Sequence, residues 1–255
     1  MHLLGSVHVA RSDLYPLPAP IEDAFAASDT LVLEVPLDAK SREGAAAAAL
    51  EAGLYPRGDS LDRHLDDATK AALDQYAKEK PALGPVLLRM RPWMAATTLL
   101  VANLSELGYD ADHGIDAHFH ERAAKRKMRI LALETMESQL ALFTGLAEAT
   151  QVSMLRETLE SLSDIGPTMD AAFLAWKRGD AKALETELLE SIRRPEYEAV
   201  FKAMFLDRNR EMAERIAEYL HEPGRYFVVL GSGHLVGKGG IVDLLRAKQF
   251  QPLQR

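Results

Sequence analysis

The chain has 255 residues, a formal net charge of −8 at pH 7, 47% hydrophobic and 27% charged residues. These values suit a single folded domain over residues 1–255, and the acidic balance argues against a nucleic-acid partner. Cysteine is absent, which removes disulfides, thiolate metal ligands and cysteine nucleophiles.

In chain order, His2 to Val7 reads as a first buried strand ending at a glycine turn. Pro18 to Ala27, with proline at its start, reads as a short crossover helix leading into a second strand, Thr30 to Val35. Parallel pairing of these two strands is the default expectation. Ser41 to Leu50 contains a run of alanines and is expected to be helical, with Gly53 as its stop. A polar loop follows over Tyr55 to Leu61, then helices over Asp66 to Lys80 and Pro92 to Leu107, the second ended by Gly108. The most apolar stretch, Met94 to Leu104, is too short and too polar at Thr97, Thr98 and Asn103 to span a bilayer.

Asp112 to Gly114 signals a turn before a helix that runs toward Lys127, and Arg129 to Leu133 reads as a third strand. Helices are then expected over Met136 to Leu146, Gln151 to Ser163, Pro167 to Lys177, Ala181 to Ser191 and, as one long element, residues 196–220. Gly166-Pro167, Gly179-Asp180 and Pro195 punctuate them. Tyr226 to Leu230 forms a fourth apolar strand, and Gly240 to Ala247 a last helix. The expected class is therefore α/β, a small and mainly parallel central sheet with extensive helical insertions.

One pattern occurs at both ends of the chain: Leu4-Gly5-Ser6-Val7-His8 and Leu230-Gly231-Ser232-Gly233-His234. Each copy follows an apolar strand and presents an imidazole just beyond the sheet. Two neutral imidazoles brought together make a good start on a divalent metal site. Glu34 interrupts the second strand near its carboxyl end, where ligands bind in parallel sheets, and Glu134 repeats that arrangement after the third. Each could equally serve a structural ion pair. Arg208 and Asn209 break the apolar face of the long C-terminal helix and are expected to point inward, where a guanidinium needs an anionic or carbonyl partner. Asp116 sits where a carboxylate stabilises a helix start. His118 and His120 lie on different sides of one helix and with His113 suit a surface role better than a metal site. Ser6 and Ser232 lack the surroundings of a serine-hydrolase nucleophile.

These segments resemble the TraB/GumN/Tiki group, whose Tiki members are regarded as metal-dependent proteases. The resemblance rests on LLGSVHVARSDLYPLP, LVLEVPLD, HGIDAHFHERA, ILALETMESQ, LDRNREMAERI and VVLGSGHLVGKGGIVDLL and covers nearly the whole chain. It implies a compact core similar to the erythromycin-esterase and ChaN-like folds. It also implies a site centred on His8, His234 and Glu34, surrounded by Arg208, Asn209, Asp116 and Glu134. The resulting expectation is a hydrolase of peptide or protein substrates using Mn²⁺, Co²⁺ or Zn²⁺, with His8, His234 and Glu34 as metal ligands. Glu34 or Glu134 would be the base, Arg208 would stabilise developing charge, and Asn209 and Asp116 would flank the substrate. Two alternatives are a metal-free, esterase-like hydrolase with a histidine general base, and a non-catalytic ligand-binding or regulatory protein. As it reads, the chain suits the cytoplasm; an upstream signal segment would make it periplasmic or secreted.

Overall fold

A computed structural model describes residues 1–254, the Glu196 side chain excepted. Four strands form one sheet: β1 (His2–Ser6), β2 (Thr30–Leu33), β3 (Arg129–Ala132) and β4 (Tyr226–Gly231). Their order is β1-β4-β2-β3 and every pairing is parallel. The expected strands are present, and the α/β class with a small parallel sheet holds. The direct pairing of the first two strands does not, because β4 lies between them. All six residues of β4 are buried, whereas the residues of β1 before Ser6 and those of β3 are partly open. The most apolar strand takes an inner position, covered on both sides and both faces, as parallel sheets favour.

Alternation along β4 divides the core. Phe227 and Val229 face a layer containing Phe25 and Phe119, while Tyr226, Val228 and Leu230 face Met212, Ile216 and Ile241. The first layer comes from α1 (Ala19–Ala26) and, after the insertion described next, α6 (Ile115–Lys125). Burying each such large apolar side chain stabilises the fold by roughly 1.5–3 kcal/mol.

Between β2 and α6 the chain inserts α2 (Ala39–Gly53), α3 (Asp67–Glu79), a single-turn α4 (Gly84–Leu87) and α5 (Pro92–Glu106). Beyond β3 come α7 (Met136–Thr144), α8 (Glu148–Ser161), α9 (Ile165–Arg178) and α10 (Ala181–Leu189). Helices α3, α5 and α8 pack around Leu73, Leu99 and Leu155 as a separate apolar cluster. Asp38 caps α2 by accepting from the Ser41 N–H at 3.0 Å. This helix ends at Gly53, as expected, and a Cβ there would lie 2.4 Å from Met94 Sδ and 3.0 Å from the Trp93 ring, so the close approach requires glycine. By contrast, Gly166-Pro167 does not separate helices. Both residues lie in the first turn of α9, where a proline's missing N–H leaves no helical bond unmade.

The expected continuous helix over 196–220 is divided. A 3₁₀ turn at Pro195–Tyr197 leads to α11 (Glu198–Phe201), a π-helical segment (Lys202–Leu206) and α12 (Asp207–His221). The wider π turn immediately precedes Arg208 and Asn209, and such turns recur at functional sites. A one-turn α13 (Ser232–Leu235) then carries His234, and α14 (Ile241–Ala247) follows.

Candidate functional site

Because the strands are parallel, their carboxyl ends share one edge of the sheet. His8 lies beyond β1, Glu34 beyond β2, Glu134 beyond β3 and His234 beyond β4. Open parallel sheets bind ligands in this crevice. The two distant Gly-x-x-His motifs converge there: His8 Nε2 is 3.9 Å from Glu34 Oε2, and His234 Nε2 is 3.6 Å from Glu34 Oε1.

Glycines permit the approach. A Cβ on Gly231 would stand 2.9 Å from His8 Nε2 and 3.2 Å from Glu34 Oε1, and one on Gly5 would lie 2.8 Å from Ser232 Oγ. Gly231 also donates its N–H to Glu34 Oε1 at 2.7 Å. The matched serines act as structural donors. Ser232 Oγ donates to the Ser6 carbonyl at 2.8 Å, and Ser6 Oγ donates to Asp116 Oδ2.

Each imidazole is oriented through Nδ1. His8 Nδ1 lies 2.9 Å from Asp116 Oδ2, so its N–H donates to the carboxylate and Nε2 faces Glu34. Asp116 is set by its place in the first turn of α6, whose Ile115 N–H donates to the Val7 carbonyl at 3.1 Å. His234 Nδ1 lies 2.6 Å from Asn209 Oδ1, while Asn209 Nδ2 donates to the Gly239 carbonyl at 2.9 Å. The carbonyl requires the amide nitrogen on its side, so Oδ1 faces His234 and must accept from Nδ1–H. This fixes the His234 tautomer and leaves Nε2 unprotonated, near Glu34 and open to a donor. Asp116 Oδ2 and Asn209 Oδ1 are therefore engaged by the two rings.

Arg208 joins the remaining groups. Nε and Nη2 donate to Glu134 at 2.8 and 2.6 Å, a bidentate pair, and Nη2 also reaches Glu34 Oε2 at 3.4 Å. Nη1 donates to the Met204 carbonyl at 2.9 Å and to His234 Nε2 at 3.1 Å. The five N–H groups of the guanidinium thus each have an acceptor within the chain.

Burial and charge drive the imidazoles apart. Burial pushes His234 down to about 4, and nearby Arg208 adds to the effect against the opposing pull of Glu34. At His8 burial also works against the charge, but Asp116 and Glu34 outweigh it and raise the pKa to about 9. The His8 side chain is 57% exposed, so solvent screens these pair interactions more than at His234, which is 6% exposed. Glu34, also buried, is held below the usual carboxylate range. Burial opposes its ionisation, and His234, His8, Arg208 and the Gly231 N–H overcome it.

The donor chemistry fits a divalent metal: two Nε2 atoms and one carboxylate converge, with both Nδ1 atoms fixed by outer partners as in metal-binding histidines. Among the described residues, however, no group of three or more histidine or acidic side chains is arranged to hold a metal ion.

Gln139 was not singled out by sequence reading. It lies on α7 five residues past Glu134 and donates to Glu134 Oε2 at 3.1 Å and Glu34 Oε2 at 3.5 Å. Its sequence signals are the spacing from Glu134 and its place at the end of the ILALETMESQ segment. His118 instead meets Arg122 Nη1 at 2.9 Å and packs beside Tyr15. His113 and His120 do not join the central cluster in any of its hydrogen bonds.

The TraB/PrgY/gumN family matches residues 1–254. The chain is 24% identical over 246 residues to YbaP of Escherichia coli (strain K12), an uncharacterized protein, with 96% of this chain and 87% of YbaP covered. An uncharacterized protein of Treponema pallidum (strain Nichols) is 22% identical over 265 residues, covering 98% of this chain and 78% of its own. No solved structure gives a significant match. The chain belongs to the TraB/PrgY/gumN family.

Proposed function

We propose that the cleft is the active site of a metal-dependent hydrolase in which His8, His234 and Glu34 hold Mn²⁺, Co²⁺ or Zn²⁺. The observation that carries this reading is the matched orientation of the two imidazoles, each tied at Nδ1 and presenting Nε2 toward one carboxylate. When bound, such an ion lowers the pKa of water and polarises a carbonyl. Peptide or protein substrates are supported by the resemblance to Tiki proteases.

Within this reading Glu34 either completes the ion's ligands or accepts a proton from water. Its Oε1 is held by the Gly231 N–H, while Oε2 faces His8 and accepts only the long contacts of Arg208 Nη2 at 3.4 Å and Gln139 Nε2 at 3.5 Å. Glu134, bound through both oxygens to Arg208, is the reserve base if Glu34 serves only as a ligand. Arg208 supplies fixed positive charge beside the reacting centre, while Asp116 and Asn209 keep the rings in place. A metal-free, esterase-like hydrolase is the second reading. It is favoured by the Arg208 hydrogen bond to His234 Nε2 and would use His8, neutral only toward alkaline pH near 9, as base with Asp116 orienting it.

The test is cleavage of a defined peptide mixture, followed by mass spectrometry, for the parent and Glu34→Gln with each metal or with chelator. Metal-dependent cleavage lost in Glu34→Gln supports the first reading, and full activity after exhaustive chelation the second. Tight ligand binding without turnover, unchanged in Glu34→Gln, would overturn both in favour of a binding protein.

A further inference from the structure

The geometry points to Arg208 as a gate on metal entry: its Nη1–H occupies the His234 Nε2 lone pair that an ion would need. This inference rests on the metal-site reading and concerns the chain's own competing donor. Asn209 fixes the proton on Nδ1, so His234 has one ring lone pair, and that pair already accepts from Arg208 at 3.1 Å. Rotation of the imidazole cannot relieve the conflict, because it would break the 2.6 Å Asn209 bond.

Arg208 is firmly held. Glu134 grips it through two oxygens and the Met204 carbonyl receives the other Nη1–H. That carbonyl belongs to the π-helical segment, so the local winding aligns its acceptor with the guanidinium. Phe205, from the same segment, packs against His234 with ring centroids 5.0 Å apart. One element therefore positions both the cation and the ring it engages. On the opposite side, His8 meets Glu34 with no guanidinium hydrogen bond at its Nε2 among the described contacts. The two histidines thus differ in their guanidinium contact, and coordination at His234 requires Nη1 to release its acceptor.

The experiment measures Co²⁺ and Zn²⁺ affinity by competition with a chromogenic chelator for the parent and Arg208→Lys. Lysine preserves the charge but lacks the planar fork that spans Glu134, Glu34 and His234. Removal of a hydrogen bond from a charged donor should tighten binding by roughly 10- to 100-fold. Equal or weaker binding in a folded Arg208→Lys protein would overturn the gate while leaving parent metal binding intact. If neither protein bound an ion, the underlying metal reading would fail as well.

A second measurement uses the parent alone. Zn²⁺ bound to protein labelled with ¹⁵N-arginine should shift the Arg208 Nη resonances as Nη1 loses its acceptor. Unchanged resonances with stoichiometric Zn²⁺ would overturn the gate even if the lysine variant failed to fold.

Discussion

Gly231→Ala places one methyl group at the meeting point of the candidate centre. Its Cβ would stand 2.9 Å from His8 Nε2, 3.2 Å from Glu34 Oε1 and 3.5 Å from His234 Cδ2. The Gly231 φ of −50° accommodates alanine, so the effect arises from crowding. Glu34 is tied by the Gly231 N–H and has little room to retreat, whereas His8 is 57% exposed and can swing outward. Overpacking of this kind costs about 1–3 kcal/mol, and the mobility of His8 favours the lower end. For a chain of this size that is a fall in Tm of roughly 2–6 °C. Displacement of His8 by about 1 Å should reduce turnover on the order of 100-fold. The assays are thermal unfolding by circular dichroism and peptide cleavage under matched metal conditions. Parental activity in a folded Gly231→Ala protein would refute the central placement of these groups.

Three further outcomes follow from the same geometry. Asn209→Leu removes the acceptor that fixes the His234 tautomer and should weaken metal affinity roughly 10- to 100-fold by chelator competition; unchanged affinity would show that the Nδ1 bond does not prepare the ring. Glu134→Leu leaves the buried Arg208 without its bidentate partner and should cost about 3–5 kcal/mol in denaturant unfolding, with a loss below 1 kcal/mol counting against its structural importance. Stability should fall in both directions from about pH 6.5. The raised His8 pKa gives a contribution lost as pH rises toward about 9, while the lowered His234 pKa gives a loss as pH falls toward about 4. His8→Gln should flatten the alkaline limb and His234→Gln the acid limb in pH-dependent unfolding; unaltered limbs would refute those assignments.

Strand positions were legible because short apolar runs ended at glycine or acidic residues, and the Gly-x-x-His duplication identified two histidines that do meet. Their convergence also explains Glu34, since three of its neighbours come from segments more than 100 residues away. Strand order was not legible. Local crossover logic favoured pairing β1 with β2, but only the assembled core shows how β4 gains cover from both neighbours. The helical pattern likewise concealed the π turn, although the inward direction expected of Arg208 and Asn209 holds, both side chains being buried. Asp116 was visible as a helix-start acid, yet its bond to His8 depends on a contact across 108 residues. Gln139 depends on the same kind of long-range meeting with Glu34.

Metal content measured by elemental mass spectrometry tests the central claim most directly. The parent, His8→Ala and His234→Ala proteins would be loaded separately with Mn²⁺, Co²⁺ and Zn²⁺, then cleared of excess ion. Near-stoichiometric retention of one metal by the parent, lost in both variants, is the expected result. Undiminished retention in either folded variant, or no retention by the parent with any of the three, would contradict a shared metal site built by the two motifs.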